Sequence, residues 1–165
     1  MSASYNKGAW LLHMLRGAIG DDTFFAFLQT YAKQYHNRPT STLDVWRLAE
    51  SVSGQDLAWF FDQWLLQAGM PRYTLYWSEG DSGVEVLLCP AASGAYQLAL
   101  PLRLRQGTHE EDVLLAVNKD GARASFALDF TPSDILPDPA QDVLAQVIVQ
   151  PIAALPEACP PPTTP

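Results

Sequence analysis

Tyr5, Lys7 and Gly8 stand at the head of an apolar helical run, in the order Tyr5-Asn6-Lys7-Gly8-Ala9-Trp10-Leu11-Leu12-His13-Met14-Leu15. A phenol in that place can pack with its hydroxyl in water, or it can donate a hydrogen bond to a substrate; residue type alone favours packing. Lys7 reads as a solvated lysine at a helix start or as a charge behind the tyrosine. Gly8 permits close approach to a cleft but carries no meaning by itself. The three histidines, His13, His36 and His109, are never four residues apart. No helix face therefore offers the paired imidazoles of a zinc helix. His13 reads as a packing residue, and His36 lies near a helix end, where its charge suits the dipole. Glu110-Glu111-Asp112 can bind calcium with help from a loop, but the run reads first as a solvated turn. Trp59, Phe60, Phe61 and Trp64 form either a binding groove or core. Cys89 lies in an apolar strand-like run and reads as a buried thiol, while Cys159 lies among prolines; whether they pair is open at this level.

The elements that must position these residues fall into two groups. Trp10, Leu11, Met14 and Leu15 recur at helical spacing, and a helix from about Asn6 to Ile19 ends at Gly20. Asp21 or Asp22 starts a second helix that carries Phe24, Phe25, Phe27, Leu28 and Tyr31. Thr40-Ser41-Thr42 ahead of Leu43-Asp44 is a capping signature for a third. Ser53 with Asp56 reads as the cap of a fourth, from Leu57 to about Gln67. Trp59, Phe60 and Phe61 are consecutive and cannot all face one core, so some of these rings should meet another surface. From Tyr73 the period becomes two: Tyr73 to Trp77, Val84 to Leu88, Leu98 to Leu104, Val113 to Val117 and Ala124 to Phe130, with Val143 to Val149 as a last apolar run. Asp134 to Pro139 reads as an irregular loop. The fold class is α+β with segregated halves. A helical subdomain over 1–71 precedes a small antiparallel, immunoglobulin-like β-sandwich over 72–150 and a proline-rich tail over 151–165.

At 165 residues, with 48% apolar and 11% aromatic residues, the chain is of a globular kind. The net charge of −8 comes from its second part: residues 1–72 hold six basic and six acidic side chains, residues 73–165 four and twelve. That balance repels phosphate backbones and argues against nucleic acid as a partner. No apolar run approaches the ~20 residues of a membrane span. The first residues have neither the basic nor the apolar region of a signal peptide.

Tyr5-Asn6-Lys7-Gly8-Ala9, then Leu12-His13-Met14-Leu15 and Gly20-Asp21-Asp22-Thr23-Phe24-Phe25, resembles a segment of the zinc aminopeptidases of the aminopeptidase N and leukotriene-A hydrolase type. The resemblance continues through Thr42-Leu43-Asp44, Glu50, Ser53-Gly54-Gln55-Asp56-Leu57, Phe60-Phe61, Trp64 and Gly69-Met70-Pro71. It extends to Leu100-Pro101-Leu102, Leu136-Pro137-Asp138-Pro139 and Val143-Leu144. Asn6 departs from it, since the family has Glu there. The resemblance implies that residues 1–71 are the C-terminal half of a thermolysin-like catalytic domain and that a sandwich follows. It implies that Tyr5 is catalytic, donating its hydroxyl to the oxyanion of the tetrahedral intermediate. It also implies zinc in the parent protein, held by an upstream His-Glu-x-x-His helix and a further Glu that this chain does not contain. The expected partners are a peptide substrate and the missing upstream catalytic half, with no nucleic acid and no membrane. The chain then reads as the C-terminal portion of an aminopeptidase, inactive by itself. A non-enzymatic interaction or structural module is the other reading.

Overall fold

The computed structural model describes residues 3–80, 83–91 and 96–161, with backbone alone for Ala3, Ser4 and Tyr5. The chain separates into two compact units, Met1–Ala68 and Gly69–Pro165.

The first unit is helical: α1 (Ala3–Ile19), α2 (Asp21–Gln34), α3 (Thr42–Ser53) and a short α4 (Ala58–Phe61) that widens into a π turn over Asp62–Leu66. On α1 the buried residues are Leu11, Met14, Leu15 and Ile19, the spacing of a single face. Phe24 and Phe27 of α2, Leu48 and Ala49 of α3, and Leu57, Phe60, Phe61, Gln63 and Trp64 are the other buried residues described in this unit. Helix α2 packs on both α1 and α3. The Tyr31 hydroxyl shares a 2.9 Å hydrogen bond with Thr40, holding α2 to the segment that leads into α3.

Caps explain most helix boundaries. Gly20 closes α1 as expected, but at φ 82, ψ 158 it is extended, in a region that glycine alone enters readily. Its carbonyl accepts from the Phe24 amide, so it is also the N-cap of α2. Asp21 and Asp22 lie in the first turn, after the cap. Asp21 accepts from Arg16 Nε at 2.8 Å and Nη2 at 2.6 Å, which holds its carboxyl below the usual carboxylate range. At α3 the capping signature is realised in full: Ser41 Oγ accepts from the Asp44 amide, and Asp44 Oδ2 accepts from the Ser41 amide at 2.8 Å. Before α4, the Asp56 carboxylate accepts from the Ala58 amide at 2.9 Å and Glu50 accepts from the Leu57 amide at 3.0 Å; Ser53 turns back onto Gln55.

Replacing Ser41 by Ala is expected to destabilise the chain by about 1 kcal/mol, read from chemical denaturation. The Asp44 carboxyl is depressed chiefly by its hydrogen bond from the Ser41 hydroxyl, with the Ser41 amide next. A depressed carboxyl contributes its stability above its unfolded-state pKa and loses it as pH falls through the folded value. The gap between wild type and Ser41→Ala should therefore narrow on acidification below the ordinary aspartate range.

The second unit is a sandwich of a four-stranded sheet, order β5-β2-β1-β7, and a three-stranded sheet, order β4-β3-β6. The strands are β1 (Arg72–Gly80), β2 (Gly83–Pro90), β3 (Leu98–Gln106), β4 (His109–Val117), β5 (Ala122–Ala127), β6 (Asp134–Pro137) and β7 (Gln146–Pro151). One core lies between the sheets. It is built from Tyr73, Leu75 and Trp77 of β1, Val84, Val86 and Leu88 of β2, Leu100, Leu102 and Leu104 of β3, and Leu115, Val117 and Ile135. The Tyr73 phenol is pushed up to about 12, chiefly by burial and to a lesser extent by the neighbouring Tyr96.

Four features depart from the pattern read from sequence. The segment expected as a loop contains β6, paired antiparallel with β3 and burying Ile135 against Leu104 in register. Pro137 is tolerated because β6 is an edge strand. Strand β7 pairs with β1 in parallel, so the sandwich is not wholly antiparallel. The acidic run is not a turn: Glu110, Glu111 and Asp112 lie in β4, because the hairpin reverses tightly at Gly107-Thr108 with Gln106 opposite His109. Cys89 and Cys159 form a disulfide, so neither is a free thiol.

Candidate functional site

The first turn of α1 carries the residues singled out above. The Tyr5 backbone is helical, so the phenol is carried by the helix itself and does not precede it; its side chain lies outside the described residues. Asn6 is exposed. Lys7 is half-buried and its Nζ donates to the Gln67 carbonyl at 3.3 Å, just past the π turn. A cation there meets unsatisfied carbonyls at a helix C-terminus, which is favourable both as a hydrogen bond and against the dipole. Lys7 thus ties the start of α1 to the end of the last helical segment.

Gly8 begins one wall of an apolar cleft of about 150 Å³. Leu11, Leu12 and Leu15 continue that wall along α1. Thr42 and Val45 of α3 form a second side, and Phe60, Phe61 and Leu65 close the third. A methyl group on Gly8 would meet nothing within 4 Å, so the fold does not demand glycine here; its effect is to leave the wall low. Phe61 is fixed from behind by Trp46, whose ring stacks on it at 5.2 Å and 14°. Among the described residues the buried Trp46 indole N–H finds no hydrogen-bond partner. The helix widens to a π turn next to these rings, and its i→i+5 bond, Gln67 amide to Asp62 carbonyl, is 3.2 Å. Such turns re-aim side chains and recur at functional sites.

The consecutive aromatics divide as their spacing requires. Phe60, Phe61 and Trp64 are buried, while Trp59 remains 43% exposed. Leu12, Leu43 and Leu66 also expose large apolar area, Leu66 at 72%. The helical unit thus presents several large apolar side chains at its surface.

The other candidates are not brought to this place. His13 is exposed, with its ring edge-on to Trp10 at 5.8 Å. His36 is exposed beyond the end of α2. His109 belongs to β4 and lies against the Phe130 ring. The carboxylates of the acidic run are engaged by arginine: Arg103 donates to both oxygens of Asp112, at 2.7 and 2.8 Å, and reaches Glu110 at 3.6 Å. The Arg103 hydrogen bond is what holds the Asp112 carboxyl low. Among the described residues no group of three His, Cys, Asp or Glu is placed to hold a metal ion. No helix among them is long and apolar enough to cross a membrane. Sequence reasoning had not singled out Thr42, Val45 or Leu65 as cleft residues. The i, i+3 relation of the first two was the available signal.

Residues 1–64 match the Peptidase family M1 domain. Aminopeptidase N of Lactococcus lactis subsp. lactis is 39% identical over 67 residues, which is 41% of this chain and 8% of that protein. Aminopeptidase M1-C of Oryza sativa subsp. japonica is 30% identical over 125 residues, 73% of this chain and 14% of its own length. That stretch is too long to fit in the helical unit alone. The crystal structure of Legionella pneumophila aminopeptidase A in complex with aspartic acid matches 89% of this chain and 18% of that one, with a TM-score of 0.67 and 17% identity, a likeness of fold. The chain spans less than a fifth of each of these proteins. With its helical unit matched to an M1 domain and its relatives reaching into the sandwich, the chain belongs to peptidase family M1.

Proposed function

We propose that the chain is the portion of a zinc-dependent aminopeptidase that supplies the oxyanion-stabilising tyrosine and one wall of the substrate cleft, and that it is inactive by itself. The observation that carries this reading is the M1 match over residues 1–64, which includes Tyr5 and every residue of the apolar cleft except Leu65. The metal would have to be held elsewhere. The 165 residues contain no His-Glu-x-x-His, and the described side chains offer no metal cluster.

In this reading Tyr5 donates its hydroxyl hydrogen to the oxyanion that develops when the peptide carbonyl becomes tetrahedral. The bond strengthens as charge gathers on that oxygen, so it favours the transition state over the bound peptide. The Tyr5 backbone lies in the first turn of α1, at the positive end of the helix dipole. The exposed Leu12, Leu43, Trp59 and Leu66 are then the surface that meets the upstream catalytic half.

The same exposed surface favours a second reading, a non-enzymatic module that binds a protein partner. The reading frame upstream of Met1 separates the two. A His-Glu-x-x-His there supports the peptidase, and unrelated sequence supports the free module.

The purified chain is expected to bind no stoichiometric zinc after dialysis, measured by metal analysis, and to leave aminoacyl substrates intact. One tightly held zinc together with hydrolysis would refute the proposed division of labour.

A further inference from the structure

The chain after β7 does not trail away. The Ile152 amide donates to the Trp77 carbonyl of β1 at 2.9 Å, Arg123 of β5 donates to the Pro156 carbonyl, and Cys159 is bonded to Cys89 of β2 with Cα atoms 5.5 Å apart. With the sheet order β5-β2-β1-β7, a segment leaving β7 and touching β1, β2 and β5 must cross the sheet. Alternation gives the face. Val84, Val86 and Leu88 point into the core, so Cys89 points to the opposite face; Ala122 and Ala124 pack on the core, so Arg123 does too. The crossing segment is poorly equipped to hold itself there. Pro156, Pro160 and Pro161 have no amide hydrogen, and residues 152–161 form no strand or helix.

We propose that Cys89–Cys159 is a reducible clasp: closed, it straps residues 152–161 across the outer face of the four-stranded sheet; opened by a dithiol, it releases them. Cys89 is 4% exposed, whereas Cys159 is half-buried between exposed neighbours, so the attacked sulfur is that of Cys159. A thiolate of the dithiol bonds to Cys159 Sγ, and the Cys89–Cys159 bond breaks with its electron pair leaving on Cys89, which takes up a proton. The second thiol of the reductant then attacks the mixed disulfide, freeing Cys159 as a thiol; the reductant ends as its own disulfide, two electrons and two protons poorer. The strap is accordingly closed in an oxidising compartment and open in a reducing one.

The test compares the whole chain before and after dithiothreitol, with Cys159→Ser as the permanently open form. Alkylation should find no free thiol before reduction and both afterwards. Hydrogen exchange of the Ile152 amide, which donates to the Trp77 carbonyl at 2.9 Å, should accelerate by about tenfold or more in the reduced chain and in Cys159→Ser, while β1 and β2 keep their protection. Free thiols without reductant would overturn the proposal, as would unchanged exchange in the opened forms. Loss of protection throughout β1 and β2 would also overturn it, since the bond would then be a staple of the whole sheet.

Discussion

Exchanging Tyr5 for Phe, in the chain joined to a zinc-bearing half, is expected to lower kcat by about 10²–10³-fold with KM nearly unchanged, a loss of about 3–4 kcal/mol of transition-state stabilisation. The exchange removes one oxygen and keeps the ring, so packing and helix propensity in the first turn of α1 are nearly preserved. The split between kcat and KM is the informative part. A phenol that only packs, or that binds the ground state, would raise KM or destabilise the protein and leave kcat alone. Lys7→Met is the matching control, because the Lys7 Nζ is already committed to the Gln67 carbonyl. It should loosen the link between α1 and the π turn, seen as a lower melting temperature, without a loss of kcat. A Tyr5→Phe enzyme turning over at the wild-type rate would remove the tyrosine from the mechanism.

What was legible in the sequence was whatever short-range pattern encodes. The switch from helical to alternating periodicity near Tyr73 reflects a change in which neighbours a side chain can share a face with, and it marks the α+β organisation. The Ser41–Asp44 capping box was legible because both partners lie within one turn. The missed features depend on distant partners. Strand β6 has four residues and a proline, and it exists because β3 offers it an open edge. The parallel pairing of β7 with β1 joins residues some seventy positions apart, and so does the Cys89–Cys159 bond. The acidic run was misplaced because its carboxylates resemble a solvated turn until Arg103 is seen opposite Asp112. At the candidate site, the apolar face of α1 was readable from spacing. The third wall was not, because a π turn has no sequence signature that distinguishes it from the α-helix it interrupts.

Replacing Gly121 by Ala is expected to destabilise the sandwich by about 3 kcal/mol or more, lowering its melting temperature by roughly 10 °C or beyond. Gly121 closes the β4–β5 connection: it exchanges backbone hydrogen bonds with Asn118 at 3.0 and 3.1 Å, and Asn118 Oδ1 accepts from the Asp120 amide at 2.8 Å. Its φ is +104, and an added Cβ would stand 2.1 Å from the Leu88 carbonyl oxygen and 3.2 Å from Pro90 Cδ. Leu88 is fully buried in β2 and paired with Ala122, the residue after the glycine, so the atom in the way is backbone and cannot rotate aside. The connection must open or β5 must shift on β2. Gly107, in the β3–β4 hairpin, provides the comparison. Its φ is +60 and nothing lies within 4 Å of its would-be Cβ, so Gly107→Ala meets only the left-handed backbone penalty of about 1–2 kcal/mol. Urea unfolding of the two variants measures the difference directly. Equal midpoints would mean that the close approach of Gly121 to β2 does not constrain the sheet, whereas a selective loss at Gly121 places the constraint at the turn that seats β5 beside the disulfide-bearing strand.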